Sequence, residues 1–527
     1  MEEKNQARST LHPSVFEPGT LVLVIACSVF GAIVTTQILA RIGISSNTSV
    51  IGAVIAMAIG RAGLWSMRSI HRQNLVQTAI SAASFGAAND ALIAVCLIYL
   101  LGQTQLVVPM LIGSMFAAVL DIVLVYRLYD TPVFPACGAW PPGVATARVI
   151  QAGDEGGEKA RRLLQGFIVG LIGTYFKLPM SAIGIVYIAN IWAMIALGVG
   201  LLIRGYSVQL FGVDLGKTYI PQGVMLGAGV VQLFQAAIVL YKTRGVHASA
   251  LQKQHEYEPV VLGQSVEKEF PLQFVLFTAG ALVMALVGGL WAQMSFGQLL
   301  AWLLYCGFAA LTSTILVGLC AMQSGWFPAF AITVIYMLGG IAMGFPAVPL
   351  AFLVGYTAST GPLLADMGYD LHTGWLLRGN GKNPALEREG RMQQLYAEAI
   401  GAVIGFVVVF FTMNMFFKLN LFPPITKVYA ATIKAAFQPS IWQQMIMWAV
   451  PGAVIQALGG DRAVGILLAT GLLINNPIYG ICTTLAVIVR ILLGKKSEQF
   501  MEIRESGLIA GDGVYSFIDA LIKTFSM

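Results

Sequence analysis

The chain reads as an all-α polytopic membrane protein, and three observations predict it. Of 527 residues, 57% are hydrophobic and only 11% charged, against roughly a quarter charged in a typical soluble domain. Apolar stretches recur along nearly the whole length, at residues 20–40, 50–65, 105–126, 223–241, 271–291 and 400–417. Most approach the roughly 20 residues that a spanning helix needs. The third observation is that Gly, Pro and aromatic residues interrupt several apolar stretches without bringing in charge, as broken or re-entrant membrane helices do.

About fourteen apolar segments are separable by eye, and the irregular ones bring the expected number of membrane elements to 14–16. The first run is too long for a signal-peptide core and follows a mixed-charge start with Glu2, Glu3, Lys4 and Arg8, so it is expected to stay as the first helix. Residues 464–493 are too long for one straight crossing. They contain Asn475-Asn476-Pro477, where proline removes a backbone donor and nearby amides can re-satisfy the freed groups. Residues 130–157, 204–222 and 417–440 read as re-entrant or interfacial. Two polar stretches, 242–268 and 379–394, read as loops too short to fold alone.

An internal repeat divides the chain. Ile98-Tyr-Leu-Leu-Gly102 with Val108-Pro109 resembles Ile335-Tyr-Met-Leu-Gly339 with Val348-Pro349, and Tyr129-Asp130 resembles Tyr369-Asp370; the last two matches are each offset by 240 residues. Gly166-Phe-Ile-Val-Gly170 likewise echoes Gly401-Ala-Val-Ile-Gly405. Two related halves are the architecture of many secondary transporters, with the substrate site between them. The division expected is a cytoplasmic segment 1–17, a first membrane half 18–242, a polar loop 243–268, a second half 269–494 and a C-terminal segment 495–527 with an apolar or interfacial helix. Counting crossings between the copies gives an odd number and would invert them. Both post-repeat loops are basic, however, with Arg148, Lys159, Arg161 and Arg162 in one and Arg378, Lys382, Arg388 and Arg391 in the other. The positive-inside rule puts both in the cytoplasm and makes the copies parallel.

The net charge of +6 fits basic inner loops, so no nucleic-acid partner is called for. The six cysteines are scattered without a Cys-x-x-Cys pair, which supports neither a metal site nor disulfides. No Gly-x-x-x-x-Gly-Lys-Ser/Thr loop is present, so an ion gradient rather than an internal ATPase would drive any transport. No cofactor is expected.

Four polar constellations carry the candidate chemistry. Asp366 and Asp370 stand one helical turn apart at the end of an apolar run, with His372, Thr373 and Arg378 following. Acids in or beside a bilayer are costly, which makes ion coupling the first hypothesis, with His372 an alternative proton carrier. An interfacial helix end neutralised by Arg378 is the plain structural reading. Asn74, Gln77, Thr78, Ser81, Ser84, Asn89 and Asp90 are interleaved with small residues. Substrate contact and helix packing suit them equally, while Asp90 favours coupling because packing needs no charge. In the segment from Phe134 to Arg148, a half-helix starting near Gly143, with Thr146 behind it, would aim its amino end at an anionic group; an ordinary connecting loop is the other reading. Asn475, Asn476 and Tyr479 would meet a zwitterionic solute or merely satisfy a broken helix.

These residues also resemble a family pattern. Ala365-Asp-Met-Gly-Tyr-Asp370-Leu-His-Thr373-Gly374-Trp375 resembles the Ser-Asp-x-x-x-Asp-Phe-Lys-Thr-Gly-Tyr segment of the oligopeptide transporters, which include the yellow-stripe-like carriers of metal chelates. Pro142-Gly-Val-Ala-Thr-Ala147, Asn74-Leu-Val-Gln-Thr78 and Gly507-Leu-Ile-Ala-Gly-Asp512 resemble three more family segments, in the family's order. His372 departs from the family's usual Lys and Asp512 from its Glu. The resemblance implies a short, prokaryotic-type secondary importer of peptide-like or amino-acid-derived solutes, working by alternating access with protons. Its setting would be a bacterial inner or plasma membrane, and a homodimer is compatible with it. A metal–chelate carrier is the alternative within transport, and an intramembrane enzyme the alternative of another class.

Overall fold

The computed structural model describes residues 12–42, 52–53, 56, 69–155, 157–242, 259–263, 265–325, 327–435, 439–462 and 464–525. The apolar stretch 50–65 lies outside these apart from 52–53 and 56. Most of the expected N-terminal segment and of the loop 243–268 lies outside them too.

Helices make up the fold, and no strand occurs among the described residues. Among the described residues, seven helical spans are long and apolar enough to cross a membrane: Pro18–Gln37, Ile70–Leu100, Thr104–Leu128, Val266–Val287, Phe296–Ser324, Ala347–Leu377 and Pro384–Lys418. Shorter apolar helices stand at Ile191–Gly205, Ile332–Ala342, Val464–Leu473 and Pro477–Leu493. The interruption expected at Asn475-Asn476-Pro477 separates the last two, and the Asn476 side chain caps the second by accepting from the Tyr479 amide at 3.0 Å. Two of the long spans are themselves irregular. Ile70–Phe85 runs through a π-helical stretch, Gly86–Leu92, into Ile93–Leu100. Ala347–Ala358 breaks at Ser359-Thr360-Gly361, with Gly361 at φ +109°, before Pro362–Leu377 begins.

One expectation is corrected. Residues 379–394 are not a polar loop: a 35-residue helix, Pro384–Lys418, starts inside them. Asn383 accepts from the Leu386 amide at 3.2 Å, Pro384 occupies the first turn and Glu387 follows, which is the chemistry of a helix start. Polar residues after that start form a stripe, Glu387, Arg391, Gln394 and Glu398, and all four are buried. The sequence gives no apolar signal there because this helix face packs on other polar groups. The segment 130–157 likewise contains a helix, Pro141–Glu155.

Glycine pairs set the helix contacts. A Cβ at Gly401 would collide with the Ala79 carbonyl, and one at Gly405 would sit 2.5 Å from the Ala83 carbonyl. This brings Pro384–Lys418 backbone to backbone with Ile70–Phe85. The matching pair does the same for Gly157–Tyr175: a Cβ at Gly166 would collide with the Arg504 carbonyl, and one at Gly170 would lie 2.6 Å from that of Leu508. Gly507 and Gly511 meet the same helix from the Arg504–Phe525 side. Without a hydrophobic driving force between helices in lipid, small residues that allow such approach carry the packing.

Candidate functional site

The close contact at Gly401 and Gly405 brings a polar face of Ile70–Phe85 against Pro362–Leu377. Ser81 Oγ donates to Asp366 Oδ1 at 2.5 Å, and Gln77 Nε2 donates to Asp370 Oδ1 at 2.6 Å. The two donors are four residues apart and so are the two acids, in opposite order. Antiparallel helices therefore zip together one turn at a time. Asn74 Nδ2 holds Gln77 in place through its Oε1 at 3.0 Å.

A third acid completes the cluster. Glu398 comes from Pro384–Lys418, and one carboxylate oxygen from each of Asp366, Asp370 and Glu398 lies within 4.8 Å of the others, with all three residues buried. Three negative charges so close in a buried site cannot stand uncompensated. Such a cluster can take up protons or a cation. Its donors are all oxygen, a set suited to hard ions and not to soft transition metals.

On the side of the Pro384–Lys418 helix start, a second polar layer closes the site. Gln394 Nε2 donates to the Asp370 carbonyl at 2.5 Å and its Oε1 accepts from Arg378 Nη1 at 2.8 Å. Arg378 grips Glu387 through two bonds of 2.7 and 2.9 Å, and Arg391 meets Glu387 at 2.7 Å and Asp130 at 3.2 Å. Arg391 also donates to the Val260 carbonyl at 2.5 Å, and its guanidinium lies 4.7 Å from the Tyr129 ring centroid. The Val260 amide returns a bond to Asp130 at 2.8 Å. Two arginines and two acids thus balance each other and tie together the 129–130 turn, the segment at 260 and the second-half helices.

The plain reading of Arg378 as the partner of Asp366 and Asp370 is corrected by this geometry, since its ion pair is with Glu387. His372 faces away from the acids: its Nδ1 meets the Ala136 carbonyl at 2.8 Å and its ring stacks on Trp375 at 5.5 Å. Thr373 donates to the carbonyls of Gly143 and Tyr369 at 3.1 and 2.9 Å. A Cβ at Gly143 would sit 2.5 Å from the Tyr369 carbonyl, so the start of Pro141–Glu155 packs directly on the acid-bearing helix. Thr146 is buried on that same helix, and its hydroxyl meets no hydrogen-bond partner among the described residues.

Asp90 and Asn89 are buried in the π-helical stretch, a deviation frequent at functional sites. Neither Asp90 carboxylate oxygen meets a hydrogen-bond donor among the described residues, and its charge acts on Asp366 and Asp121. Its carbonyl accepts from Ser359 at the break between the two acid-side helices, at 2.9 Å. Asp121 itself binds Thr314 at 2.7 Å and the Gly361 amide, stapling that break. Thr78 lies 3.5 Å from Gln394 Nε2, at the edge of the site. Ser84 packs on Gly31 of the first helix. Asn475, Asn476 and Tyr479 belong to a separate helix pair, where Pro477 presses on Gly205; Asn475 is exposed there.

Reasoning from the sequence missed Glu398, Gln394, Arg391 and Glu387 as site residues. Their spacing of four, three and four was the available signal, a helical stripe hidden because the stretch looked like a loop.

No curated protein matches the chain. Residues 19–202 match the family model described as OPT oligopeptide transporter protein. The matched stretch contains Gln77, Ser81 and Asp90 and extends past the Gly166 and Gly170 contact. Over those residues the chain is similar to the oligopeptide transporters.

Proposed function

We propose that the chain is a secondary importer of small peptides or amino-acid-derived solutes, and that Asp366, Asp370 and Glu398 bind the proton that couples uptake to a gradient. One observation carries the reading: three buried carboxylates from two helices converge within 4.8 Å, on helices joined through a polar layer that a conformational change could open. Asp90, on the irregular π-helical stretch, is the next station. Alternating access would move these helices relative to the Arg378, Glu387, Arg391 and Asp130 layer, which closes one end. Gln77, Asn74 and Thr78 line the same side and are the solute-contact candidates nearest the acids. A bacterial inner or plasma membrane is the expected setting. The metal–chelate alternative gains no support from the cluster, whose oxygen-only donors suit hard ions.

The test is uptake of a dipeptide and amino-acid panel into proteoliposomes with and without an imposed pH gradient, repeated with Asp366→Asn, Asp370→Asn and Glu398→Gln. Gradient-driven uptake that each variant loses is the expected result. Uptake indifferent to the gradient would end the proton reading, and full activity in all three variants would return the acids to a structural role.

A further inference from the structure

Lined by none of the three clustered acids, a cavity of about 520 Å³ with almost wholly apolar walls lies among the helices Gly157–Tyr175, Met180–Ile188, Pro477–Leu493 and Arg504–Phe525. Its floor includes Met180 and Leu508, both buried, whereas Val169, Leu485 and Phe500 on its rim are exposed. Cys482, Leu485, Ala486 and Val489 line one wall, and from Cys482 to Val489 is about 10 Å at the helical rise per residue.

One end of the groove is charged. Arg504 lines it and is held only by neutral groups: Gln165 Oε1 at 3.1 Å, the Phe500 carbonyl at 2.5 Å and the Phe500 ring at 4.5 Å. No acid pairs with Arg504 among the described residues. Lys495 and Lys496 are exposed on the short Lys495–Met501 helix that follows the apolar Pro477–Leu493 helix, and no acid pairs with them among the described residues either. Arg490, by contrast, is paired with Glu498 at 3.1 Å. On the neighbouring helix Arg161 and Arg162 are paired with Glu158 at 3.2 Å each, so the positive charge left without an acid at this end, among the described residues, is that of Arg504, Lys495 and Lys496.

We propose that this groove seats an acyl chain of an anionic phospholipid whose headgroup phosphate meets Arg504. An apolar slot with a cation at one end matches both parts of that molecule. A second protein copy would call for no charge at one end only. The site is independent of the transport reading.

The test is native mass spectrometry of the full chain in mixed micelles containing equal amounts of phosphatidylcholine and phosphatidylglycerol with identical acyl chains. One phosphatidylglycerol retained per chain in preference to phosphatidylcholine is expected. Arg504→Gln should cut that preference about fivefold, Arg504→Lys should keep it, and Leu485→Trp should expel both lipids by filling the slot. Equal retention of the two lipids, an unchanged preference in Arg504→Gln, or a dimer that Leu485→Trp dissociates would overturn the proposal.

Discussion

Two helix contacts in this protein are built the same way and carry acids to different ends. Gly401 and Gly405 dock one long helix on Ile70–Phe85, and Gly166 and Gly170 dock another on Arg504–Phe525. At the second contact Glu505 and Asp512 are each answered. Glu505 forms an ion pair with Arg148, and Asp512 accepts from the Ser181 amide at 2.6 Å and from Thr174 at 3.0 Å. At the first, Asp366, Asp370 and Glu398 gather within 4.8 Å, while the nearby arginines, Arg378 and Arg391, are engaged by Glu387 and Asp130. The comparison separates packing from chemistry: glycine pairs explain both contacts, and only the first gathers three acids within 4.8 Å.

The largest loss of stability is expected at the closing layer. Glu387→Ala strands two buried arginines and should cost about 3–5 kcal/mol, read as a fall in the denaturation temperature of the purified protein. Next, leucine at Gly401 or at Gly166 should each destabilise by about 1–3 kcal/mol through overpacking. The contrast between them is the sharper result. Gly401→Leu displaces Gln77 and Ser81 from the acids and should abolish gradient-driven uptake, whereas Gly166→Leu should leave uptake per folded molecule intact. Of similar size in stability, Asp512→Ala removes an acceptor from Ser181 and Thr174 and should cost about 1–3 kcal/mol, with the smaller effect on coupling.

The smallest effect concerns the N-terminal segment, where the Val15 amide bonds Gln393 at 2.9 Å. Burial, with the Arg378 charge second, holds the His12 imidazole down at about 3, below its unfolded value near 6.5. The unfolded chain then binds a proton that the folded one does not. Stability from neutral His12 is complete above pH 6.5 and is lost as pH falls from 6.5 toward 3. Thermal unfolding across that range should be less pH-dependent in His12→Gln.

Much of the fold was legible because lipid imposes a strong signal. Uninterrupted apolar runs gave the helices beginning near Thr20, Gln105 and Pro271, and Asn476-Pro477 gave the break. Of the site, Asp366, Asp370 and their donor Gln77 were legible as polar residues where the bilayer makes them costly. Glu398 was not, because a buried face made of Glu387, Arg391, Gln394 and Glu398 looks like a solvated loop until the facing helix is known. Nor could local pattern orient His372, which lies two residues beyond Asp370 and so, at about 100° per residue, on another face of its helix. The half-helix expected near Gly143 begins at Pro141, and its glycine serves contact with Tyr369.

The acid cluster is tested most directly by measuring Glu398→Gln for unfolding temperature and for pH-gradient-driven uptake in the same preparation. Removing one of three crowded charges should leave the unfolding temperature unchanged or raise it while uptake driven by the gradient is lost. Uptake retained at the wild-type level, or an unfolding temperature lowered as far as in Asp512→Ala, would contradict a coupling role and make Glu398 a structural acid like those at the other contact.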